Sequence, residues 1–231
     1  MPVKVAEMAG IGTVRIYKRR DARAIKITLL HDNQVRVTLP TWLPYRAGIE
    51  FVKARQEWIK LNRRPQTVLT EGNIIGKGHR LRYQKSPAAT AVSTRVLTAE
   101  VRVVIPPSHS ITDVKVQAAA KQASLRALKR QAQRLLPMRL DELAAQHDLT
   151  YASLQVKQLK SRWGSCSPHK HIALNIFLMQ LPWELIDYVI MHELTHTQVL
   201  HHGKDFWNKL EHHFPRAQQA RKQLHSYQPA L

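Results

Sequence analysis

Near the start of the chain three short stretches alternate apolar with polar residues. Residues about 12–18, 24–30 and 34–39 carry β-branched side chains at alternating positions, and Asp32-Asn33 supplies a turn between the last two. This pattern predicts a small antiparallel sheet. From Pro44 to roughly Asn62 the spacing becomes that of a helix carrying Phe51, Trp58, Ile59 and Leu61. Further strands are expected at about 66–70, 79–84 and 94–105, between Gly72, Gly76, Gly78 and Pro87, and Pro106-Pro107 breaks the chain before a helical region.

From about 114 to 148 two helices are expected, the second running from near Met138 through Gln146. Strands at about 153–160 and 171–176 should form a hairpin around a Trp163-Gly164-Ser165-Cys166 turn, and a buried helix should run from about 182 to 199. Pro182 suits its first turn, Glu184 and Asp187 place negative charge near the positive end of its macrodipole, and the run from Ile186 to Met191 is almost wholly apolar. Gly203 permits a sharp redirection before another helix starting near Lys204. No internal repeat or low-complexity segment is evident. The expected class is α+β, with an antiparallel-sheet-rich N-terminal lobe carrying one helix over residues 1–108 and a catalytic lobe over 109–231.

Composition narrows the setting. At 231 residues and 44% hydrophobic the chain can bury a substantial core. It contains no apolar stretch long enough to span a membrane and begins without an apolar signal region, so a cytoplasmic protein with no membrane partner is expected. Cys166 is the single cysteine, which excludes an internal disulfide. Thirty-six Lys and Arg against sixteen Asp and Glu give a net charge of +20, a long-range field that attracts nucleic acid, nucleotides or acidic proteins.

That charge is concentrated in two places. Lys115, Lys121, Arg126, Lys129, Arg130, Arg134 and Arg139 fall in a helical stretch without acidic residues, and Arg15, Lys18, Arg19, Arg20, Arg23 and Lys26 fall among the first strands. Neither cluster has the interleaved aromatic residues of a base-stacking platform, so base readout is not expected.

Candidate chemistry centres on His192-Glu193-Leu194-Thr195-His196, followed by His202. Residues four apart lie above one another on a helix, so both imidazoles can reach one ion while Glu193 leans over its open side. Three protein ligands plus water make a catalytic zinc site; a closed, cysteine-rich structural site is excluded by the cysteine count. His202 arrives from the turn as third ligand, with His201 the competitor.

These residues, together with Ser161-Arg162-Trp163-Gly164-Ser165-Cys166-Ser167, Ile172-Ala173-Leu174-Asn175, Pro182, Ile186 to Ile190 and Phe206-Trp207, resemble the YgjP-like metallopeptidases, relatives of the SprT-like and WLM zinc proteases. Arg19-Arg20, Val35-Arg36-Val37 with Pro40, Trp58-Ile59, Gly72 and His79-Arg80-Leu81 extend the resemblance over nearly the whole chain. It implies a zincin-like catalytic lobe around a central helix, a Zn2+ ion held by His192, His196 and His202, and Glu193 as general base in peptide-bond hydrolysis. Where the family often has an aromatic and then a basic residue after the asparagine matching Asn175, this chain has Ile176 and Phe177.

Around that centre, Arg162 is the first candidate for stabilising a developing oxyanion, with a surface ion pair as its alternative role, and Tyr188 is expected to pack in the core. Asp205 and Glu211 are candidate partners for the outer histidine nitrogens, Asn175 could tie the hairpin to the active-site helix, and Cys166 reads as a buried turn residue. His169, His171, His212 and His213 are expected to be solvated. Ile172 to Phe177 is the candidate edge strand for an extended substrate. A zinc metallopeptidase acting on polypeptides is therefore the expected function, with a zinc hydrolase of an acidic substrate such as a nucleotide, or a DNA-associated SprT-like protease, as alternatives.

Overall fold

The apolar-polar alternation does produce strands, although their partners differ from those expected. A computed structural model describes residues 3–30, 34–62 and 68–231, with Met1–Thr67 and Val68–Leu231 as two compact units. The expected boundary near residue 108 falls inside the second unit. The expected turn at Asp32-Asn33 lies outside the described residues, as do the first two residues of the strand expected at 66–70; Val68 to Thr70 are not in a strand.

In the first unit β1 (Val3–Met8), β2 (Gly12–Arg19), β3 (Lys26–Leu29) and β4 (Val35–Pro40) form a sheet in the order β1-β2-β4-β3. It is mixed rather than antiparallel, because β2 and β4 run parallel. The strand β1 escaped the sequence pattern. Val14, Ile16, Val35, Val37 and Leu39 form one apolar core with Val52 and Ile59, which sit on α1 (Tyr45–Ala54) and α2 (Gln56–Asn62). These two short helices, interrupted at Arg55, replace the single helix expected there.

The second unit opens with β5 (Ile74–Ile75), β6 (His79–Lys85), β7 (Ser93–Val96) and β8 (Glu100–Ile105) in the order β5-β6-β8-β7, again with the two inner strands parallel. The single strand expected at 94–105 is thus an antiparallel pair. One uninterrupted helix, α3 (Val114–Gln146), takes the place of the two expected, with Pro137 inside it. Proline in a helix interior costs about 3 kcal/mol. Leu140 and Leu143 continue the buried stripe beyond it, each contributing about 1.5–3 kcal/mol by burial, so packing outweighs the break.

These two sheets share more than strand order. Met8 faces Gly12 and Ile75 faces His79 across tight connections of equal length. Val35 has Val14 and Leu29 as neighbours across the strands, and Val101 has Leu81 and Val96 in the same places. After Pro40 and Pro106, the buried helical positions Gly48, Val52 and Ile59 recur with the same spacing as Val116, Ala120 and Ala127. An internal repeat is therefore present, contrary to the sequence expectation. It is carried by register and burial; the residues themselves agree mainly in Val35-Arg36-Val37 with Pro40 against Val101-Arg102-Val103 with Pro106.

After α3 come β9 (Ser153–Lys157), β10 (Gly164–Cys166) and β11 (His171–Asn175), a 3-10 helix (Ile176–Gln180), then α4 (Trp183–Thr195), α5 (Lys204–His213) and α6 (Ala217–Leu224). The expected hairpin of β9 with β11 is instead a parallel pair, and the antiparallel partner of β11 is β10, so Gly164-Ser165-Cys166 is strand rather than turn. Consequently β11 is the central strand of its sheet and cannot be the expected edge. No helix among the described residues is long and apolar enough to cross a membrane.

Candidate metal centre

Helix α4 begins after Pro182 at its N-cap and ends at Thr195, with His196 as C-cap, shorter than the span expected to reach 199. Leu185, Ile186, Val189, Ile190 and Leu194 are buried. This anchors His192 and Glu193 on a helix with little freedom to rotate, and the four-residue spacing brings His196 back over His192. Gly203 then starts α5, and the preceding turn delivers His202.

The three imidazoles converge through the same atom. His192 Nε2 lies 3.2 Å from His196 Nε2 and 3.0 Å from His202 Nε2, and the latter two are 3.1 Å apart. Four ligands at 2.0–2.1 Å in a tetrahedron stand about 3.3 Å from one another, so this triangle fits one small divalent ion. His196 Nδ1 donates to the Val199 carbonyl at 3.0 Å, leaving its Nε2 with a lone pair for a metal. A backbone carbonyl thus fills the role that Asp205 or Glu211 was expected to take; Glu211 instead accepts from Gln218. Burial and the neighbouring imidazoles hold His192 neutral, with its pKa pushed down to about 3. Neutral imidazole is the ligand form.

Phe206 underlies all three rings. It is fully buried, stacks on His196 at 4.4 Å between centroids, and meets His192 at 4.9 Å and His202 at 4.8 Å edge to face. Trp207 donates from Nε1 to the His202 carbonyl at 3.2 Å, which fixes the turn. The sequence marks these two only as an aromatic pair after the last histidine, and their function as floor and clasp needs the fold.

Glu193 is only 5% exposed, and burial pushes its carboxyl up to about 8 against the opposing charge of Arg162. Its side chain lies against Gly164 of β10, where a Cβ would stand 2.7 Å from Oε1. Glycine is thus required there by close approach, and the Trp-Gly pair in the sequence was its only signal. Arg162 itself is exposed, with its carbonyl held by the Asn175 side chain at 2.8 Å. Asn175 also binds Leu159 and Phe177, so it braces the loop before β10 rather than tying a hairpin to α4.

Other candidates stand apart from the triad. Tyr188 is buried, as expected, with its ring 6.0 Å from those of His192 and Phe214. Cys166 is half-buried, and burial raises its thiol to about 11, a poor nucleophile. His171 pairs with Ser153, His213 packs edge-on against His147, and His201 is exposed. Of the basic residues of α3, Arg126 binds Thr94, Arg130 binds the Val96 carbonyl and Arg139 binds Asp187 and Glu142, so part of that face is engaged within the fold.

Three imidazole nitrogens and an adjacent carboxylate are the donor set of a metal-dependent hydrolase. The family model for the YgjP-like, metallopeptidase domain matches residues 23–227, and the chain belongs to that family. It is therefore a metallopeptidase. Among solved structures the chain is similar to the metallopeptidase zymogen jannalysin of Methanocaldococcus jannaschii, at 23% identity over 39% of this chain and 93% of that one, with a TM-score of 0.35. It is likewise similar to the zymogen of Pyrococcus abyssi abylysin, at 21% identity over 40% and 93%, with a TM-score of 0.37. No curated protein matches it.

Proposed function

We propose that the protein is a zinc-dependent peptidase in which His192, His196 and His202 hold the metal and Glu193 is the general base. The observation that carries this reading is the triangle of Nε2 atoms, 3.0–3.2 Å on each side, formed next to a buried carboxylate. Zinc would supply a Lewis acid that lowers the pKa of bound water from 15.7 to about 7.

The chain supplies the rest. Glu193, ionised when the metal is bound beside it, takes the proton of the attacking water and returns it to the leaving amine. Gly164 leaves that carboxylate room beside β10. Arg162, whose charge acts on Glu193, is the residue we assign to stabilising the oxyanion of the tetrahedral intermediate. Because β10 is an edge strand of its sheet and lies beside α4, an extended polypeptide can add to it, rather than to β11, and bring its scissile carbonyl to the triad.

The test pairs elemental analysis with hydrolysis of an unfolded protein and of a nucleoside triphosphate, on the wild type and Glu193→Gln. One equivalent of zinc in both proteins, with proteolysis lost by about a thousandfold in the variant, is the expected result. Nucleotide turnover without proteolysis would overturn the peptidase reading, and metal-free wild type would overturn the centre itself.

A further inference from the structure

The first sheet turns Val14, Ile16, Val35 and Val37 inward. Its other face carries Arg15 and Arg36, which are direct register partners on the parallel strands β2 and β4. Strands pair about 4.8 Å apart. Lys26 of β3, opposite Thr38, adds a third cation on the next rung. Like charges directly across a sheet destabilise it unless something offsets them.

The second copy of the repeat shows how such a rung is neutralised. There the equivalent pair is Arg82 and Arg102, again direct register partners. Arg82 binds Glu71 at 2.9 Å and Arg102 binds Glu100. At the matching places the first sheet has Lys4 instead of Glu71 and Gln34 instead of Glu100. Among the described residues neither Arg15 nor Arg36 meets a carboxylate; Arg36 lies over the Tyr17 ring at 4.6 Å, and its Nε is buried without a hydrogen-bond partner. Arg15 and Lys26 are exposed.

We propose that this face of the first sheet is a docking surface for the phosphate backbone of nucleic acid. The same arginine rung that the second sheet closes with its own carboxylates is left open in the first, so the offsetting anion comes from a partner. Guanidinium forks match phosphate oxygens, and the Thr28 and Thr38 hydroxyls on the same face can donate to them as well. The aromatic ring on the neighbouring rung, Tyr17, is covered by Arg36, so recognition goes to the backbone and is independent of sequence. The first unit is suited to it overall, with fourteen Lys and Arg against five Asp and Glu in residues 1–67.

The test is fluorescence anisotropy with a labelled mixed-sequence oligonucleotide, single-stranded and duplex, over a salt series. Replacing both Arg15 and Arg36 with Gln should weaken binding about tenfold at low salt and reduce the salt slope by about two. The matched double variant R82Q/R102Q removes the same charge and should leave both quantities unchanged. Thermal melting monitors folding, and if Arg36→Gln unfolds the sheet, the exposed Arg15→Gln alone should lower the slope by about one. An unchanged slope, an equal loss in the two double variants, or equal displacement of the oligonucleotide by polyglutamate would overturn the proposal. Proteolysis without nucleic acid should stay at the wild-type rate in R15Q/R36Q, which separates this outcome from failure of the peptidase reading.

Discussion

Glu193 packs directly on Gly164: a Cβ at position 164 would stand 2.7 Å from its Oε1, 2.8 Å from Cγ and 3.0 Å from Cδ. Gly164→Ala therefore forces the carboxylate or the β10 backbone to shift by several tenths of an ångström. Because general-base catalysis depends on placement, kcat/KM for a peptide substrate should fall by about 10- to 100-fold. Metal content should not change, since the atoms nearest a Cβ at this position all belong to Glu193, which is not among the ligating histidines. Wild-type turnover in Gly164→Ala would separate Glu193 from the reaction.

His202 and His201 are neighbours and both exposed, but only His202 has its Nε2 in the triangle. His202→Ala should lose most of the bound zinc on dialysis, whereas His201→Ala should keep one equivalent. Atomic absorption on the two variants decides the third ligand, and a reversed pattern would move it to His201.

How far this site was legible depends on the range of the interactions that build it. The histidine spacing on α4 is local, so periodicity and one glycine turn place His192, Glu193, His196 and His202 without reference to anything distant. Pairing of β9 with β11, the edge position of β10 and the contact of Gly164 with Glu193 all join segments far apart in sequence, and strand alternation is silent about them. The repeat was hidden for a related reason. What it preserves is burial and register, with Val52 and Ile59 in one copy answered by Ala120 and Ala127 in the other, so residue identity scarcely carries it.

The break expected near Met138 is absent, because Pro137 sits inside α3 and the buried Leu140 and Leu143 are recognisable as core only once their partners are known. Arg139 illustrates the same point for charge. In the sequence it belongs to a basic surface and Asp187 to a helix terminus; in the fold they pair through two hydrogen bonds of 2.6 Å each, tying α3 to α4. Asp187 is 15% exposed on its side chain, so Asp187→Asn should cost about 1.5–3 kcal/mol, the range for hydrogen bonds to charged groups. In a protein of this size the melting temperature should drop by about 3–10 °C, with the metal retained. A change below a degree in differential scanning calorimetry would make the bridge incidental.

Stability of the metal-free protein should depend on pH through two opposed groups. Burial raises Glu193 from 4.5 to about 8, so between those values the folded state holds a proton that the unfolded chain has released. Its contribution is present at low pH and is lost as pH rises through 8. His192 is depressed from 6.5 to about 3, so the unfolded chain binds the extra proton in that window and stability is gained as pH rises through it. Glu193→Gln removes only the first effect. At pH 4 the metal-free variant and wild type should therefore melt together, while well above pH 8 the variant should melt higher by at least about 4 °C. Adding zinc should shrink that difference, because a nearby dication favours the ionised carboxylate. Parallel melting curves at both pH values, in the chelated proteins, would mean that the carboxyl is hydrated in solution and not desolvated against Gly164.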